Sequence, residues 1–278
     1  MEIREFFEFH SPVLEINEPR HNKILAIVAR AANNPISALR IWSLGSAGAC
    51  AVQEPGHLIV LGELDQQQCH IIAAQAHEID FPGVIGPDRT AMWFADYAQR
   101  IGIAFAQPIP LQIQVIRGKP HYPGAQGVPR VVTSADEDLL IEWLLEFARE
   151  ATPHEPAPKL EGLLKAAADR QYMFWTLNRV PVSMAGIVRR TKHGVAISSV
   201  YTPPGLRGRG YAGSVTAALV ERAYTEGKLF ACLYSDLRNP FSSRCYANVG
   251  FKTVCASWHY PRADAAEAVW LPSLITFE

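Results

Sequence analysis

The sequence predicts an α+β fold, a mixed and mostly antiparallel central sheet flanked by helices, built as two such units in tandem. Three observations predict it. A chain of 278 residues can bury two modest cores. The order helix, three strands, two helices, strand runs through the first part, and a similar order runs through the second. Between them Gly118, Pro120, Pro123, Gly124 and Gly127 make a turn-rich linker, which divides the chain into units 1–126 and 127–278.

In the first unit, Ile24, Leu25, Ile27, Val28 and Ala31 mark the apolar face of a helix over 18–32, stopped by Asn33, Asn34 and Pro35. Strand-like runs follow at 38–44, 47–52 and 58–61, bounded by Gly45, Ser46, Pro55 and Gly56. Helices are expected over 65–78, with Asp65 as cap, and over 88–100, then a strand over 111–116. Gly83-Val84-Ile85-Gly86-Pro87 reads as a loop where a phosphate loop would lie, without the arginine or closely spaced glycines to hold one.

The second unit opens with a strand at 130–133 and Ser134, a helix cap whose capping box Glu137 completes. Leu139, Leu140, Trp143, Leu144 and Phe147 give the buried face of the helix that follows. A helix at 160–170 and strands at 172–177 and 182–190, joined by a turn at 178–181, come next. A strand from Gly194, a strand at 229–234, a helix at 239–248 and a strand at 251–258 complete the unit. In the tail, Val269, Trp270 and Leu271 are expected to pack onto a domain surface.

Composition narrows the function classes. A net charge of −1 leaves no electrostatic footprint for nucleic acid or an acidic membrane surface. The start, Met-Glu-Ile-Arg-Glu, has acids where a signal peptide needs a basic region, and no apolar stretch reaches spanning length, so a cytoplasmic protein is expected. Five cysteines form no C-x-x-C pair and read as reduced, mostly buried thiols. The histidines lack H-x-x-x-H and H-E-x-x-H spacing, so no catalytic metal is indicated.

The chemistry concentrates in Val200 to Gly213, Val-Tyr-Thr-Pro-Pro-Gly-Leu-Arg-Gly-Arg-Gly-Tyr-Ala-Gly. A strand ends at Pro203 and Pro204, a glycine-rich loop follows, and a helix opens near Gly208 to Gly210. Glycine lets a ligand approach bare backbone, and the free N–H groups of a helix start favour an anion. Two patterns fit these letters. Gly208 to Gly213 spells G-x-G-x-x-G, with Asp236 about twenty residues on, as a dinucleotide fingerprint asks. Against it, two prolines and two arginines separate the strand from the glycines, and too little chain follows Asp236 for a doubly wound sheet.

The second pattern, Arg207-x-x-Gly210-x-Ala212, resembles the pyrophosphate loop of the GNAT superfamily of N-acetyltransferases. Val200-Tyr201-Thr202-Pro203-Pro204 before it, and Asn239-Pro240-x-Ser242-x-x-x-Tyr246-x-x-x-Gly250-Phe251 after it, are similar to that family's acetyl-CoA half-site. The resemblance implies the acyl-CoA N-acyltransferase fold for 127–278, with 1–126 as a degenerate copy that binds no acetyl-CoA and shapes the substrate site. It implies acetyl-CoA as co-substrate: backbone of Val200, Tyr201 and Thr202 meeting the acetyl and pantetheine groups, and amides of Arg207, Gly208, Arg209, Gly210, Tyr211, Ala212 and Gly213 holding the pyrophosphate. Asn239, with Ser242 beside it, would bond the pantetheine arm. Tyr246 would be the general acid that protonates the departing thiolate. Asn239-Pro240 is equally a plain helix cap, and Tyr246 equally a half-buried aromatic.

No residue stands out as the base. Ser198 and Ser199 could position a water, and His154 and Glu155 lie on a loop that closes over substrate in the family. The expected activity is acetyl-CoA-dependent N-acetylation of a primary amine on a small-molecule or amino-acid-like acceptor, by direct attack. A non-catalytic acyl-CoA-binding module, or a transferase with a longer acyl donor, remains the alternative. Neither nucleic acid nor membrane is expected as a partner, and a homodimer is left open.

Overall fold

A computed structural model of the chain describes residues 1–153, 158, 160–168 and 171–266. The first half runs α1 (Ile3–Leu14), α2 (Glu18–Asn33), β1 (Arg40–Ser43), β2 (Cys50–Gln53), β3 (Ile59–Leu61), α3 (Gln66–Ala76), β4 (Gly83–Pro87), α4 (Asp88–Arg100) and β5 (Ile109–Ile116). The second half runs β6 (Val128–Val131), α5 (Glu137–Ala151), α6 (Leu160–Ala168), β7 (Tyr172–Leu177), β8 (Val180–Arg190), β9 (Gly194–Tyr201), α7 (Tyr211–Thr225), β10 (Phe230–Asp236), α8 (Pro240–Val249), β11 (Lys252–Pro261) and α9 (Ala263–Ala266). His154, Glu155 and the tail residues Val269, Trp270 and Leu271 lie outside the described residues.

All these strands join one sheet in the order β1-β2-β3-β4-β11-β5-β10-β9-β8-β7-β6. Neighbours are antiparallel except β3 with β4 and β9 with β10. Each parallel pair brackets a crossover helix, α3 in the first half and α7 in the second. The closing strands are exchanged. β5 follows α4 in the chain yet lies between β11 and β10, pairing Ala231 to Asp236 with Ile116 to Leu111. β11, at the end of the second half, pairs in turn with β4 of the first, Ser257 to Pro261 against Pro87 to Gly83.

Helices cover both faces. One face carries α1 and α2 over Val52, Val60 and Ile85, and α5 over Tyr172, Phe174 and Met184. The other carries α3 and α4 over Ile59, Leu61 and Val84, and α7 and α8 over Val195, Ile197 and Leu233. Helix α2 crosses the join and packs against β2, β3, β5, β8 and β9.

Local chemistry explains the boundaries. Pro19 sits in the first turn of α2, where its missing N–H costs nothing. Asp65 caps α3 through Gln68 N at 2.8 Å, and Gln68 returns the bond to Asp65 N. The capping box ahead of α5 lies one residue earlier than Ser134, between Thr133 and Asp136. Asn178 and Arg179 both take positive φ, 50° and 70°, so β7 and β8 join through a two-residue turn, tighter than 178–181.

β4 and α1 are among the elements that differ from the sequence reading. Residues 83–87 form strand β4, buried at every position. Its glycines serve close backbone approach: a Cβ on Gly83 would lie 2.6 Å from Tyr260 O, and one on Gly86 2.8 Å from Leu61 Cβ. The first-half turn corresponding to the phosphate loop is Gly62 to Asp65, between β3 and α3. Helix α1 went unread, although buried Phe6, His10 and Leu14 recur every fourth residue.

Candidate active site

The site forms where β9 and β10 part. They pair over only three residues, Gly194, Val195 and Ala196 with Phe230, Ala231 and Cys232. Gly194 is required there, because a Cβ would fall 2.1 Å from the Phe230 ring. Beyond Ala196, β9 shifts register against β8 between the Gly186–Ser198 and Met184–Tyr201 pairs, with Ser199 at φ 51°. Such a bulge bends the strand away and opens a fork. β10 continues beside β5 alone, as far as Asp236. The facing edges of 198–201 and 233–236 therefore no longer pair with each other, and an extended chain can add between them as a strand would.

Both mouths of the fork sit at carboxyl ends of parallel strands, where ligands bind in open α/β sheets. From β9, Tyr201 and Thr202 are buried and fixed by Ser183, whose Oγ donates to Tyr201 O at 2.9 Å and lies 2.8 Å from Thr202 Oγ1. A 3₁₀ turn at Pro204–Leu206 follows, then Gly208 and Gly210 at φ 78° and 80°. Gly210 is the N-cap of α7, and among the described residues no side chain caps the helix. The first-turn N–H groups at Tyr211, Ala212 and Gly213 thus keep their hydrogen bonds for an outside acceptor, with the positive end of the helix dipole behind them.

The Arg207 side chain and the missing side chain of Gly213 serve the protein's own packing. Arg207 Nε donates to Thr202 O at 2.9 Å, and its Nη2 pairs with Glu150 of α5 at 2.6 Å. It braces the loop instead of standing open, while Arg209 is exposed. Gly213 is small for the linker's sake: a Cβ would lie 2.7 Å from Pro123 Cγ.

From β10, Asn239 caps α8, its Oδ1 accepting from Phe241 N at 3.1 Å and Ser242 N at 3.2 Å, while Ser242 Oγ donates to Asn239 O at 2.9 Å. Both polar side chains are thereby tied into the helix start. Gly250 at φ 112° stops α8. Tyr246 lies on α8 with its ring buried against Phe251, centroids 6.1 Å apart, and burial raises its pKa above the usual phenol value. A phenol held protonated is the form a general acid needs. The thiols are unsuited to nucleophilic work, because burial pushes Cys50, Cys69 and Cys232 up to about 12 and Cys245 up to about 11.

The first-half counterpart is built differently. Asp65 already occupies the N-terminus of α3 with a carboxylate, where an incoming phosphate would meet repulsion. Glu63 adds a second acid, held by Arg20 at 2.5 Å and His21 at 3.1 Å. Gly62 is small for packing, since a Cβ would press on Gly48 O and Cys50 O at 2.8 Å.

Sequence reasoning missed the far side of the fork. There α2 brings Asn22, whose Nδ2 donates to Tyr234 OH at 3.3 Å and whose Oδ1 accepts from Arg189 Nε at 2.9 Å. No motif links these three residues; only the crossing of α2 over the second half brings them together.

Comparison with known proteins agrees with this geometry. Residues 138–251 match the model of the acetyltransferase (GNAT) family. A GCN5-related N-acetyltransferase from Kribbella flavida superposes with a TM-score of 0.57 at 17% identity, over 86% of this chain and 96% of that one. A Drosophila protein gives a TM-score of 0.64 at 10% identity, over 93% and 95%. A tandem GNAT protein from the clavulanic acid biosynthesis pathway gives 0.51 at 11%, over 86% and 87%. At these identities the structures share the fold. No curated protein matches the sequence. The uncapped α7 at a parallel-strand fork and the family match lead to one conclusion: residues 138–251 of this chain carry a GNAT domain, the domain of an acyltransferase family.

Proposed function

We propose that the protein is an acetyl-CoA-dependent N-acetyltransferase acting on a primary amine of a small acceptor in the cytosol. The observation that carries this reading is the contrast between two equivalent helix starts. α3 is closed by its own Asp65, whereas α7 is left open behind Gly208 and Gly210, at the mouth of a fork whose strand edges are unpaired. That fits a ligand with a phosphate group and an extended, amide-bearing arm.

In this reading the amides from Arg207 to Gly213 hold the pyrophosphate, the β9 edge at Val200, Tyr201 and Thr202 receives the pantetheine arm, and Asn239 with Ser242 borders it. The thioester supplies an acyl group to the acceptor's neutral amine. Tyr246 gives its phenolic proton to the departing sulfur; a phenol carries that proton at neutral pH without any shift, and burial, which raises its pKa, makes it no stronger an acid. The first unit, 1–126, helps shape the acceptor side, and 127–278 carries the donor and the chemistry.

Thiol release from acetyl-CoA across an amine library tests the proposal. Tyr246→Phe is expected to lower kcat by about 10²-fold with the donor KM little changed, the size of effect a general acid gives. Full turnover in that variant would remove Tyr246 from the chemistry. Tight donor binding without turnover on any amine would make the protein an acyl-CoA-binding module instead.

A further inference from the structure

The far side of the fork carries a guanidinium that, among the described residues, no carboxylate pairs with. Arg189 on β8 pairs with Ala196 on β9, the last β9 residue to pair with β10. Its guanidinium carbon lies 5.8 Å from the ring centroid of Tyr234, two residues past Cys232 on β10. To reach it from β8, the side chain must cross β9, and the small Ala196 leaves room. The guanidinium therefore lies over the opening of the fork, on the face away from α7, since Ala196 and Cys232 pack with Phe230 and Val115, and Tyr234 packs with the α1–α2 cluster.

Among the described residues, Arg189 bonds only the neutral Asn22 Oδ1, through Nε at 2.9 Å. Both terminal nitrogens keep their donors, and they form the planar pair that matches a carboxylate. The acids on neighbouring elements are engaged elsewhere. Glu18 accepts from His193 N at 2.8 Å and contacts its Nδ1 at 2.7 Å, Glu15 pairs with Lys192 at 2.8 Å, and Glu226 with Arg190 at 2.6 Å. Lys23 faces the same ring, with Nζ 5.1 Å from the Tyr234 centroid. A half-buried guanidinium without a carboxylate is costly unless a ligand supplies one.

We propose that Arg189 binds a carboxylate of the acceptor, so the substrate class is an amine that also carries a carboxylate, an amino acid or a close relative. The inference rests on the transferase reading. It adds what that reading leaves open: the donor enters from the α7 face, and the acceptor is held from the α2 face by its anion.

The experiment compares amino acids with their matched carboxamides in the thiol-release assay, for the parent, Arg189→Gln and Arg189→Lys. Acetyl-CoA titration and melting temperature are followed in each. The parent should prefer the carboxylate member at least about tenfold in kcat/KM, the scale of one lost charge-assisted bond. Arg189→Gln should lose that preference through KM, with kcat within a few-fold and acetyl-CoA affinity intact. Arg189→Lys should recover part of it. Equal use of both members by the parent, or a preference untouched in Arg189→Gln, overturns the proposal. A purely structural Arg189 would lower the melting temperature and both substrates' rates alike, which also overturns it. If no amine turns over, calorimetric titration of the same pairs with CoA present decides the matter: binding of the carboxylate member lost in Arg189→Gln supports the site, and equal binding sinks it. Loss of acetyl-CoA binding in the parent is a separate result and counts against the transferase reading.

Discussion

Gly210 and Gly213 look alike in the sequence and do different work. Gly210 takes φ 80°, so any other side chain there strains the turn into α7. Gly213 lies within the helix, and its missing Cβ leaves room for Pro123. Gly213→Ala should cost about 1–3 kcal/mol by overpacking, read as a lower melting temperature, while acetyl-CoA affinity stays within a few-fold because the N–H remains. A normal melt with lost affinity would show that the donor needs Gly213's missing Cβ as well as its N–H. Glu63 gives a pH test. The His21 hydrogen bond, then Arg20, hold its pKa at about 2 against the opposing effect of burial. A depressed carboxylate pKa stabilises the fold above the unfolded value of 4.5 and loses that contribution as pH falls toward 2. Glu63→Gln should therefore narrow the difference in urea midpoint between neutral pH and about pH 3, and an unchanged difference would contradict the assignment. At this scale the sequence shows what depends on near neighbours. Asn239 before Pro240 is readable as a cap because both partners lie within three residues, whereas Arg189, Asn22 and Tyr234 meet only through tertiary packing.

Helix starts and strand partners carry the argument at the scale of elements. Asp65→Ala should cost about 1 kcal/mol, the usual loss for a cap, and leave turnover unchanged, because α3 faces no donor in this account. Chemical denaturation beside thiol release checks both parts, and a fall in turnover without a fall in stability would place α3 in the site. Most helices and strands were legible because their period survives burial: α4 runs over the expected 88–100, and α2 over nearly its expected span. β4 was not, for a physical reason. Gly83 and Gly86 read as turn residues, yet they are small because Tyr260 O and Leu61 Cβ press against them. The α7 loop could be read from the sequence because glycines, arginines and prolines fall within one short stretch. Its bracing by Glu150, which ties Arg207 down, could not.

The whole molecule is one sheet with exchanged closing strands. β5 supplies the neighbour that β10 and β11 need, and β11 does the same for β4. Nothing in the local pattern of β5 reveals this, since its partners β10 and β11 come after the linker and most strands of the second half. Residues 127–278 alone should therefore show no cooperative melt, with β10 and β11 lacking their shared partner, and co-expression with 1–126 should restore one. A fragment that melts like the full chain would contradict the exchange. The central claim is that the open start of α7 is the donor site. Calorimetric titration of the full-length protein and of Gly210→Asp with acetyl-CoA tests it most directly, since the new carboxylate brings negative charge to the start of α7, and an unchanged melting temperature separates that charge from strain at φ 80°. The account predicts micromolar binding to the parent and none to the variant. Equal binding by both, or no binding of acetyl-CoA, free CoA or longer acyl-CoAs to the parent, would contradict it.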